Sequence, residues 1–429
     1  MLYYVHKEIA VCSSSVNPKM EQPEEVTVEL MQQILRKVEN DNTITVLPCL
    51  QVDELNKDLH GGSCMSRVTV TYTKGGDQSQ HMISLVVKVI PKIPSLTEVV
   101  SKSTMFPREI QMFDKILPRM AHLLRKAIPD NHYDFFAQMY YTRKSPSYFI
   151  AIEDLGPKCF KAPRRKNGLD LIHCQLVLKT LARFHAASVI IHNEDKNSFT
   201  LFNEYAFQEE IVNKTVIEIG FGIFAVVRKA LESWPEFGPS WADRLRNRCK
   251  TLQEDLYAIW KRDENAFNVL NHGDFGLHNL MFRHSESGEV EAIMMVDFQC
   301  CSYNSPVLDI HQFLFSSAVD EVRAHHIEAL LREYHAELTA TLEALGAPKE
   351  QTISLPQLLQ EFENKMLYAF FYTVCLLPLS SSDNDIGLSS DEIFSIGSDG
   401  LEKFMPFITA TYAKTLKRLL PIFIQKNIL

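Results

Sequence analysis

The sequence predicts an α+β fold in which a small antiparallel sheet is followed by a larger, mainly helical region. Segments of β-type residues, several with polar and apolar residues alternating, are concentrated before residue 155. After residue 156, apolar residues recur mostly at helical spacing. A run of strands followed by a run of helices is typical of α+β proteins. The 429 residues are enough for two or three domains or lobes.

Composition and charge argue against several functional classes. The net charge is −9 and no dense basic patch occurs, so we expect no nucleic-acid partner. The 9 cysteines form no C-x-x-C pair, which indicates free thiols in a reducing compartment rather than disulfides or a zinc site. No apolar run approaches the length of a membrane span, and His6, Lys7 and Glu8 interrupt any signal peptide. We therefore expect a soluble, cytoplasmic monomer with no membrane partner.

The N-terminal segment is predicted to contain a leader, a helix and a short strand. Residues 1–25 have no periodic apolar face, so we expect a flexible leader. Thr27 begins a helix with one apolar side, and Asn40–Asn42 ends it. Thr43–Leu47 is then a candidate strand.

A glycine-rich turn precedes the first long strand. Gly61, Gly62 and Ser63 lead into Arg67–Thr73, where apolar and polar residues alternate. The backbone N–H groups of such a turn can lie over phosphates, but an ordinary hairpin turn has the same composition, and both interpretations stay open. The Lys74–Asp77 turn that follows is typical of a hairpin.

The partner strand, Ser84–Ile90, carries a lysine in an apolar setting. Lys88 is flanked by valines, so its ammonium group must either extend to solvent or meet an anion. A helix that opens at Phe106 then carries Glu109. A strand lysine and a helix glutamate form the pair that orients the α- and β-phosphates of ATP in protein kinases. Lys88 and Glu109 are therefore candidate nucleotide-binding residues.

Two further strands lead to a candidate adenine-binding segment. Phe135–Thr142 and Tyr148–Ile152 are predicted strands, and the second runs directly into Glu153 and Leu155. If Ile152 is the last strand residue, the backbone groups of Glu153 and Leu155 would read the edge of adenine.

The region that follows is predicted to be helical. Lys158–Lys166 is a basic loop, interpreted as a solvated linker with phosphate sensing as the alternative. A long helix from Leu169 to about Ile191 carries His185, which we interpret as a hydrogen-bonded core histidine. Other predicted helices lie in residues 196–265, 327–345, 355–376 and 401–420, with a polar loop at 380–399.

Two acid-bearing motifs flank a predicted strand. A His-Gly-Asp motif ends at Asp274, and Asn279 follows five residues later. The apolar run Val290–Val296 then ends at Asp297, in Asp-Phe-Gln. Phosphoryl transfer from ATP needs one carboxylate to accept the proton of the attacking hydroxyl, and an Asn and a second carboxylate to hold the divalent metal. The alternative is a capped loop with Asp274 as N-cap and Asn279 as a turn residue. Asp309, in the next helix, is predicted to brace this loop.

In this order, these landmarks resemble the ecdysteroid kinase-like family, which carries the CHK kinase-like domain of the choline kinase and aminoglycoside phosphotransferase branch. The resemblance covers roughly residues 40–420 and rests on the Gly-Gly-Ser turn, SLVVKVIP, FPREIQMF, AIEDLG, LARFHAAS, HGDFGLHNLMF, VDFQ and PVLDI. It implies a two-lobed protein-kinase-like fold, with a small antiparallel-sheet N-lobe at 26–155 and a large helical C-lobe at 156–429. The CHK core would span about 150–345.

The resemblance also implies a role for each candidate residue. Asp274 would be the catalytic base, and Asn279 and Asp297 would bind Mg²⁺. Lys88 would hold the phosphates of ATP, with Glu109 as its partner. The implied reaction is phosphorylation of a hydroxyl group on a small lipophilic molecule such as an ecdysteroid.

The chain departs from the family pattern at two places. Gly276 stands where the family commonly has Trp, and Ser63-Cys64 stands where it commonly has an Asn-Tyr pair. Two alternatives remain: a choline- or aminoglycoside-type kinase, and a pseudokinase that binds nucleotide without catalysis. All five catalytic positions are filled, which argues against the pseudokinase.

Overall fold

The computed structural model describes most of the chain. The described residues are 25–55, 63–75, 77–90, 94–129, 135–145, 147–164, 168–205, 210–234, 237–380 and 405–429. The predicted leader (except residue 25), Gly62, and the predicted loop at 380–399 (except residue 380) lie outside the described residues.

An antiparallel six-stranded sheet forms the N-terminal part of the described chain. The strand order is β1-β3-β4-β6-β5, and β2 pairs with residues 66–69 of β3, beside the part that pairs with β1. The β3–β4 hairpin pairs Lys74 with Asp77, as predicted, and places Met65 opposite Lys88. The strands are β1 (Thr45–Val46), β2 (Gln51–Glu54), β3 (Cys64–Lys74), β4 (Asp77–Val89), β5 (Met139–Arg143) and β6 (Phe149–Glu153).

The predicted first helix covers one face of this sheet. Helix α1 (Val28–Val38) begins where expected, because the Thr27 hydroxyl accepts a hydrogen bond from the Leu30 amide at 3.1 Å. Its buried residues Met31, Ile34 and Leu35 join a core with apolar residues of β3, β4 and β6. The sheet therefore has a hydrophobic core of its own.

A helical segment between β4 and β5 carries Glu109 toward the sheet. Helices α2 (Pro94–Lys102), α3 (Met105–Gln111) and α4 (Leu117–Ala127) follow β4, and a single π-helical turn at Met112–Ile116 joins α3 to α4. Glu109 and Arg108 are both buried on α3. Arg108 donates from Nη1 to the backbone carbonyls of Glu204 and Cys301, each at 2.8 Å, so α3 is also fixed to the C-terminal part.

The C-terminal part is mainly helical and contains two short two-stranded antiparallel sheets. Strand β7 (Val269–Asn271) pairs with β10 (Ser302–Asn304), and β8 (Leu280–His284) pairs with β9 (Val290–Met295). The helices are α5 (Leu171–Glu194), α6 (Glu210–Ser233), α7 (Gly238–Trp260), α8 (Val307–Ser317), α9 (Asp320–His325), α10 (Ile327–Ala344), α11 (Leu355–Asn364), α12 (Met366–Phe371), α13 (Leu377–Ser380) and α14 (Ala410–Gln425).

Helix α5 forms the centre of the C-terminal core. Contrary to the sequence-based expectation, its length and composition alone would allow it to cross a membrane. However, 72% of its most apolar 18-residue stretch is buried inside the protein, which is the environment of a core helix. Its His185 is buried and lies 2.7 Å from the Tyr334 hydroxyl through Nδ1, which confirms the interpretation of a hydrogen-bonded core histidine.

Candidate active site

The loop between β7 and β8 carries the His-Gly-Asp motif. Gly273 has φ +79°, and a Cβ atom there would lie 2.0 Å from the carbonyl oxygen of Cys300. Both the left-handed backbone and the close approach require glycine. The loop therefore lies directly against the segment that carries Asp297.

Asp309 braces this loop, as predicted. Its fully buried carboxylate accepts the backbone N–H of His272 at 2.6 Å and that of Gly273 at 2.9 Å. The Nε2 atom of His185 lies 3.3 Å from the same carboxylate. Burial lowers the pKa of His185, so this imidazole is neutral at physiological pH. Helix α8 thus fixes the backbone immediately before Asp274.

Three side chains in the described part of the chain hold the carboxylate of Asp274. Gln312 donates from Nε2 to Oδ1 at 2.8 Å, and Asn279 donates from Nδ2 to Oδ2 at 3.0 Å. His278 Nε2 lies 3.1 Å from Oδ2. Burial alone would raise the pKa of Asp274, but the charge and hydrogen bond of His278 lower it below its ordinary value. With 20% of its side chain exposed, the ionised carboxylate remains accessible from solvent.

Asn279 is oriented with its oxygen available. Its Nδ2 group donates to both the side chain and the backbone carbonyl of Asp274, which fixes the orientation of the amide. The buried Oδ1 atom has no hydrogen-bond partner among the residues that the structure describes. An unpaired buried amide oxygen is a suitable ligand for a hard divalent cation such as Mg²⁺.

Asp297 lies beside Asn279 across the β8–β9 hairpin. The backbone carbonyl of Asn279 accepts the Val296 N–H at 3.0 Å, so the two loops are joined one residue before Asp297. Asp297 is buried and has φ 68° and ψ 67°, a left-handed conformation that is unfavourable for a residue other than glycine. Strained backbone of this kind is frequent at ligand-binding sites.

Lys88 reaches Asp297 from the N-terminal sheet. Its Nζ atom lies 2.5 Å from Glu109 Oε2 and 2.7 Å from Asp297 Oδ1, and all three side chains are buried. Of the two alternatives for Lys88, extension to solvent or contact with an anion, the structure has the second. Burial acts to lower the pKa of Lys88, but the two carboxylates raise it above its ordinary value, so the ammonium form is retained.

Glu109 and Gln299 complete this cluster. Burial raises the pKa of Glu109 to about 7, the charge of Asp297 acts in the same direction, and Lys88 lowers it only in part. Gln299 donates from Nε2 to Asp297 Oδ2 at 3.2 Å, and its Oε1 accepts from Lys88 at 3.4 Å. The glutamine of Asp-Phe-Gln therefore orients both charged groups.

The candidate adenine-binding segment differs in one respect from the expectation. Strand β6 extends to Glu153, whose N–H donates to the Gln138 carbonyl at 2.8 Å, so this N–H is used by the sheet. Leu155 follows the strand with its side chain buried. Asp154, which the sequence did not single out, accepts hydrogen bonds from Arg67 at 2.6 Å and Ser84 at 2.7 Å. It ties this segment to β3 and β4.

The proposed phosphate turn is described only in part. Gly62 lies outside the described residues, and Ser63 is buried at the start of β3. In the basic loop, Lys158 pairs with Glu153 at 2.6 Å, and residues 165–167 are outside the described part. The glycine turn therefore stays a prediction.

Metal-binding clusters of three or more His, Cys, Asp or Glu side chains do not occur in the described ranges. This finding is compatible with the Asn279–Asp297 pair, because Mg²⁺ is commonly held by one or two protein carboxylates together with the phosphates of a nucleotide. The side chains present therefore fit a nucleotide-bound magnesium ion rather than an all-protein metal cage.

Two neighbours of Asp274 were not predicted from the sequence. Gln312 lies on α8, and only the folded chain brings it to Asp274. His278 follows Asp274 by four residues within the same motif, and the departure from the family pattern at Gly276 between them was a usable signal.

Comparison with known proteins gives one family match. The ecdysteroid kinase-like family matches residues 60–347. No curated protein matches the chain. Among solved structures, an aminoglycoside-3'-phosphotransferase of type VIII is similar with 15% identity over 77% of this chain and 98% of that chain. The TM-score for this structure is 0.33. The family match covers more than half of the chain and agrees with the small sheet and the large helical part, which confirms the predicted kinase-like α+β fold. The chain belongs to the ecdysteroid kinase-like family.

Proposed function

We propose that the protein transfers the γ-phosphoryl group of ATP to a hydroxyl group of a small lipophilic molecule, with ecdysteroids as the first acceptor class to test. The observation that carries this proposal is the contact between Lys88 of the sheet and Asp297, next to the Asp274–Asn279 pair. A general base, two oxygen ligands and a phosphate-binding lysine are the groups that phosphoryl transfer requires.

Asp274 would accept the proton of the attacking hydroxyl. The hydroxyl oxygen then forms a bond to the γ-phosphorus, the bond from the γ-phosphorus to the bridging oxygen breaks, and ADP leaves. Because the pKa of Asp274 is low, its main contribution would be to orient the hydroxyl and to take the proton as the new bond forms.

Asn279 Oδ1 and the Asp297 carboxylate would hold Mg²⁺, which neutralises charge on the transferred phosphoryl group when it is bound. Lys88, oriented by Glu109, would bind the α- and β-phosphates. Lys88 contacts Asp297, so the nucleotide phosphates and this carboxylate would compete for the lysine.

The test is incubation of the protein with labelled ATP, Mg²⁺ and separate panels of ecdysteroids, choline and aminoglycosides. We expect a phosphorylated ecdysteroid, with no product when a chelator removes the metal. A phosphorylated choline or aminoglycoside would retain the kinase assignment and replace the acceptor. ATP binding without any product, and without ATP hydrolysis, would favour a pseudokinase.

A further inference from the structure

The backbone at position 276 gives no reason for a glycine. Gly276 has φ −118° and ψ 166°, which is extended backbone open to any residue. The reason lies in the space that a side chain would need, because a Cβ atom there would lie 2.5 Å from Cε1 and 2.7 Å from Nδ1 of His278. Real Cβ atoms do not approach other atoms this closely. The missing side chain therefore makes room for the imidazole ring of His278.

The ring that occupies this space is directed at the candidate base. The Nε2 atom of His278 lies 3.1 Å from Asp274 Oδ2, and only 6% of the His278 side chain is exposed. Nε2 can donate in the Nε2–H neutral tautomer and in the imidazolium form alike. The contact does not depend on a change in protonation.

Among the residues that the structure describes, the hydrogen bonds leave one acceptor site open on Asp274. An ionised carboxylate offers about four lone-pair sites, two on each oxygen. His278 and Asn279 occupy those of Oδ2, and Gln312 occupies one of Oδ1. Within the described part of the chain, Oδ1 has one donor, Gln312, so Oδ1 is the atom to which an incoming hydroxyl can donate.

We propose that His278, seated in the space left by Gly276, acts with Gln312 as a positioning residue that holds Asp274 so that Oδ1 faces the acceptor hydroxyl. This inference rests on the proposed function and adds to it the reacting atom and the residues that orient it. Gly276 and His278 would then act as one unit, so the loss of either should have the same consequence.

The experiment is a double-mutant cycle with Gly276→Ala, His278→Ala and the double variant. The readout is the rate of Mg-ATP hydrolysis, in which water replaces the unidentified acceptor, together with the Kd for Mg-ATP. We expect each single variant to lower kcat by about 100-fold, since small displacements of a catalytic group have effects of this size. The Kd should stay unchanged, and the double variant should be no slower than His278→Ala.

Two further variants separate positioning from general damage to the loop. His278→Gln should recover much of the rate, because its amide nitrogen can donate where Nε2 does. The matched control is His284→Ala, which removes an exposed histidine at the end of β8 that makes no described contact with Asp274. Circular dichroism checks that each variant is folded. If His278→Ala does not fold, Gly276→Ala and His278→Gln carry the test alone.

The inference is overturned if His278→Ala keeps the wild-type rate, or if Gly276→Ala slows hydrolysis equally in the wild-type and His278→Ala backgrounds. In either case Asp274→Asn should still slow hydrolysis strongly, so the proposed function would stand. If Asp274→Asn has no effect, or the wild type neither hydrolyses ATP nor phosphorylates any acceptor, the proposed function fails and the inference fails with it.

Discussion

Lys88 is a buried cation that balances two buried carboxylates. Its Nζ atom contacts Glu109 and Asp297 at 2.5 and 2.7 Å, and the three side chains are at most 5% exposed. A buried ion pair adds little net stability, but removal of one partner leaves an uncompensated charge in the interior. The structural and proposed functional roles of Lys88 can therefore be separated by stability measurements.

We predict that Lys88→Met lowers the free energy of unfolding by about 3–5 kcal/mol at neutral pH. The reason is that Glu109 and Asp297 would remain buried without a counter-charge. Denaturant titration of both forms measures the difference. The matched control is Lys88→Met combined with Glu109→Gln, which removes one of the two unpaired carboxylates and should recover part of the lost free energy of unfolding. An unchanged midpoint in Lys88→Met would contradict the buried cluster.

His311 predicts a pH dependence that is independent of the active site. Its Nε2–H donates to the Phe362 carbonyl at 2.8 Å, and burial lowers its pKa from 6.5 to about 3. Below pH 6.5 the unfolded chain takes up a proton at this residue that the folded protein does not. Its contribution to stability is therefore complete above pH 6.5 and is lost as the pH falls from 6.5 toward 3.

The test compares wild type with His311→Gln, whose amide can keep the donor without titrating. The wild type should lose up to about 1.4 kcal/mol per pH unit more than the variant in this window. Equal slopes of unfolding free energy against pH in the two proteins would show that His311 is not held neutral.

At the residue scale, the sequence predicted the groups that share a local motif. Asp274, Asn279 and Asp297 lie within one short segment, so their spacing alone indicated the chemistry. Gln312 could not be found in this way, because its contact with Asp274 depends on how α8 packs against the loop. Side-chain contacts between distant segments are set by packing, which a single sequence does not display.

Helix α8 is the element that holds the candidate catalytic loop. Asp309 lies in its first turn and accepts two backbone N–H groups of the loop, while Gln312 one turn later reaches Asp274. Ser317, in the last turn, accepts the Leu277 N–H at 2.8 Å through its hydroxyl. One helix thus contacts the loop at its beginning, middle and end.

We predict that Asp309→Ala destabilises the protein by about 2–6 kcal/mol, because two buried N–H groups lose their acceptor at about 1–3 kcal/mol each. Turnover should fall as well, since Gly273 would no longer be held. Asp309→Asn keeps one acceptor oxygen and should show a smaller loss on both measures. Chemical denaturation and steady-state kinetics provide the comparison. Equal stability of Asp309→Ala and wild type would show that Asp309 does not brace the loop.

Element boundaries show where tertiary contacts override local pattern. Only the second half of the predicted strand Phe135–Thr142 forms β5. The first half contacts β9 instead, where the Phe135 carbonyl accepts the Met295 N–H at 2.7 Å. The predicted helix 355–376 is divided at Lys365, whose φ of −100° and ψ of 16° end α11. The Lys365 ammonium group donates to the Ile259 carbonyl at 3.2 Å, and the local sequence pattern does not predict this contact.

At the scale of the whole molecule, residues far apart in sequence meet around one cluster. Lys88 and Asp297 are 209 positions apart, and Arg108 and Cys301 are 193 apart. The predicted order of strands and helices, and with it the fold class, followed from periodicity and turn residues. The contact between the sheet and the Asp-Phe-Gln segment could be predicted only from the family resemblance, because periodicity does not show which elements pack together.

We propose that Asp274 acts as the base for an attacking hydroxyl beside a nucleotide held by Lys88, Asn279 and Asp297. The most direct measurement compares turnover and Mg-ATP binding in wild type and Asp274→Asn. We expect turnover to fall by about two to four orders of magnitude, while Mg-ATP still raises the Tm of the variant as it does that of the wild type. Undiminished turnover in Asp274→Asn would contradict the account.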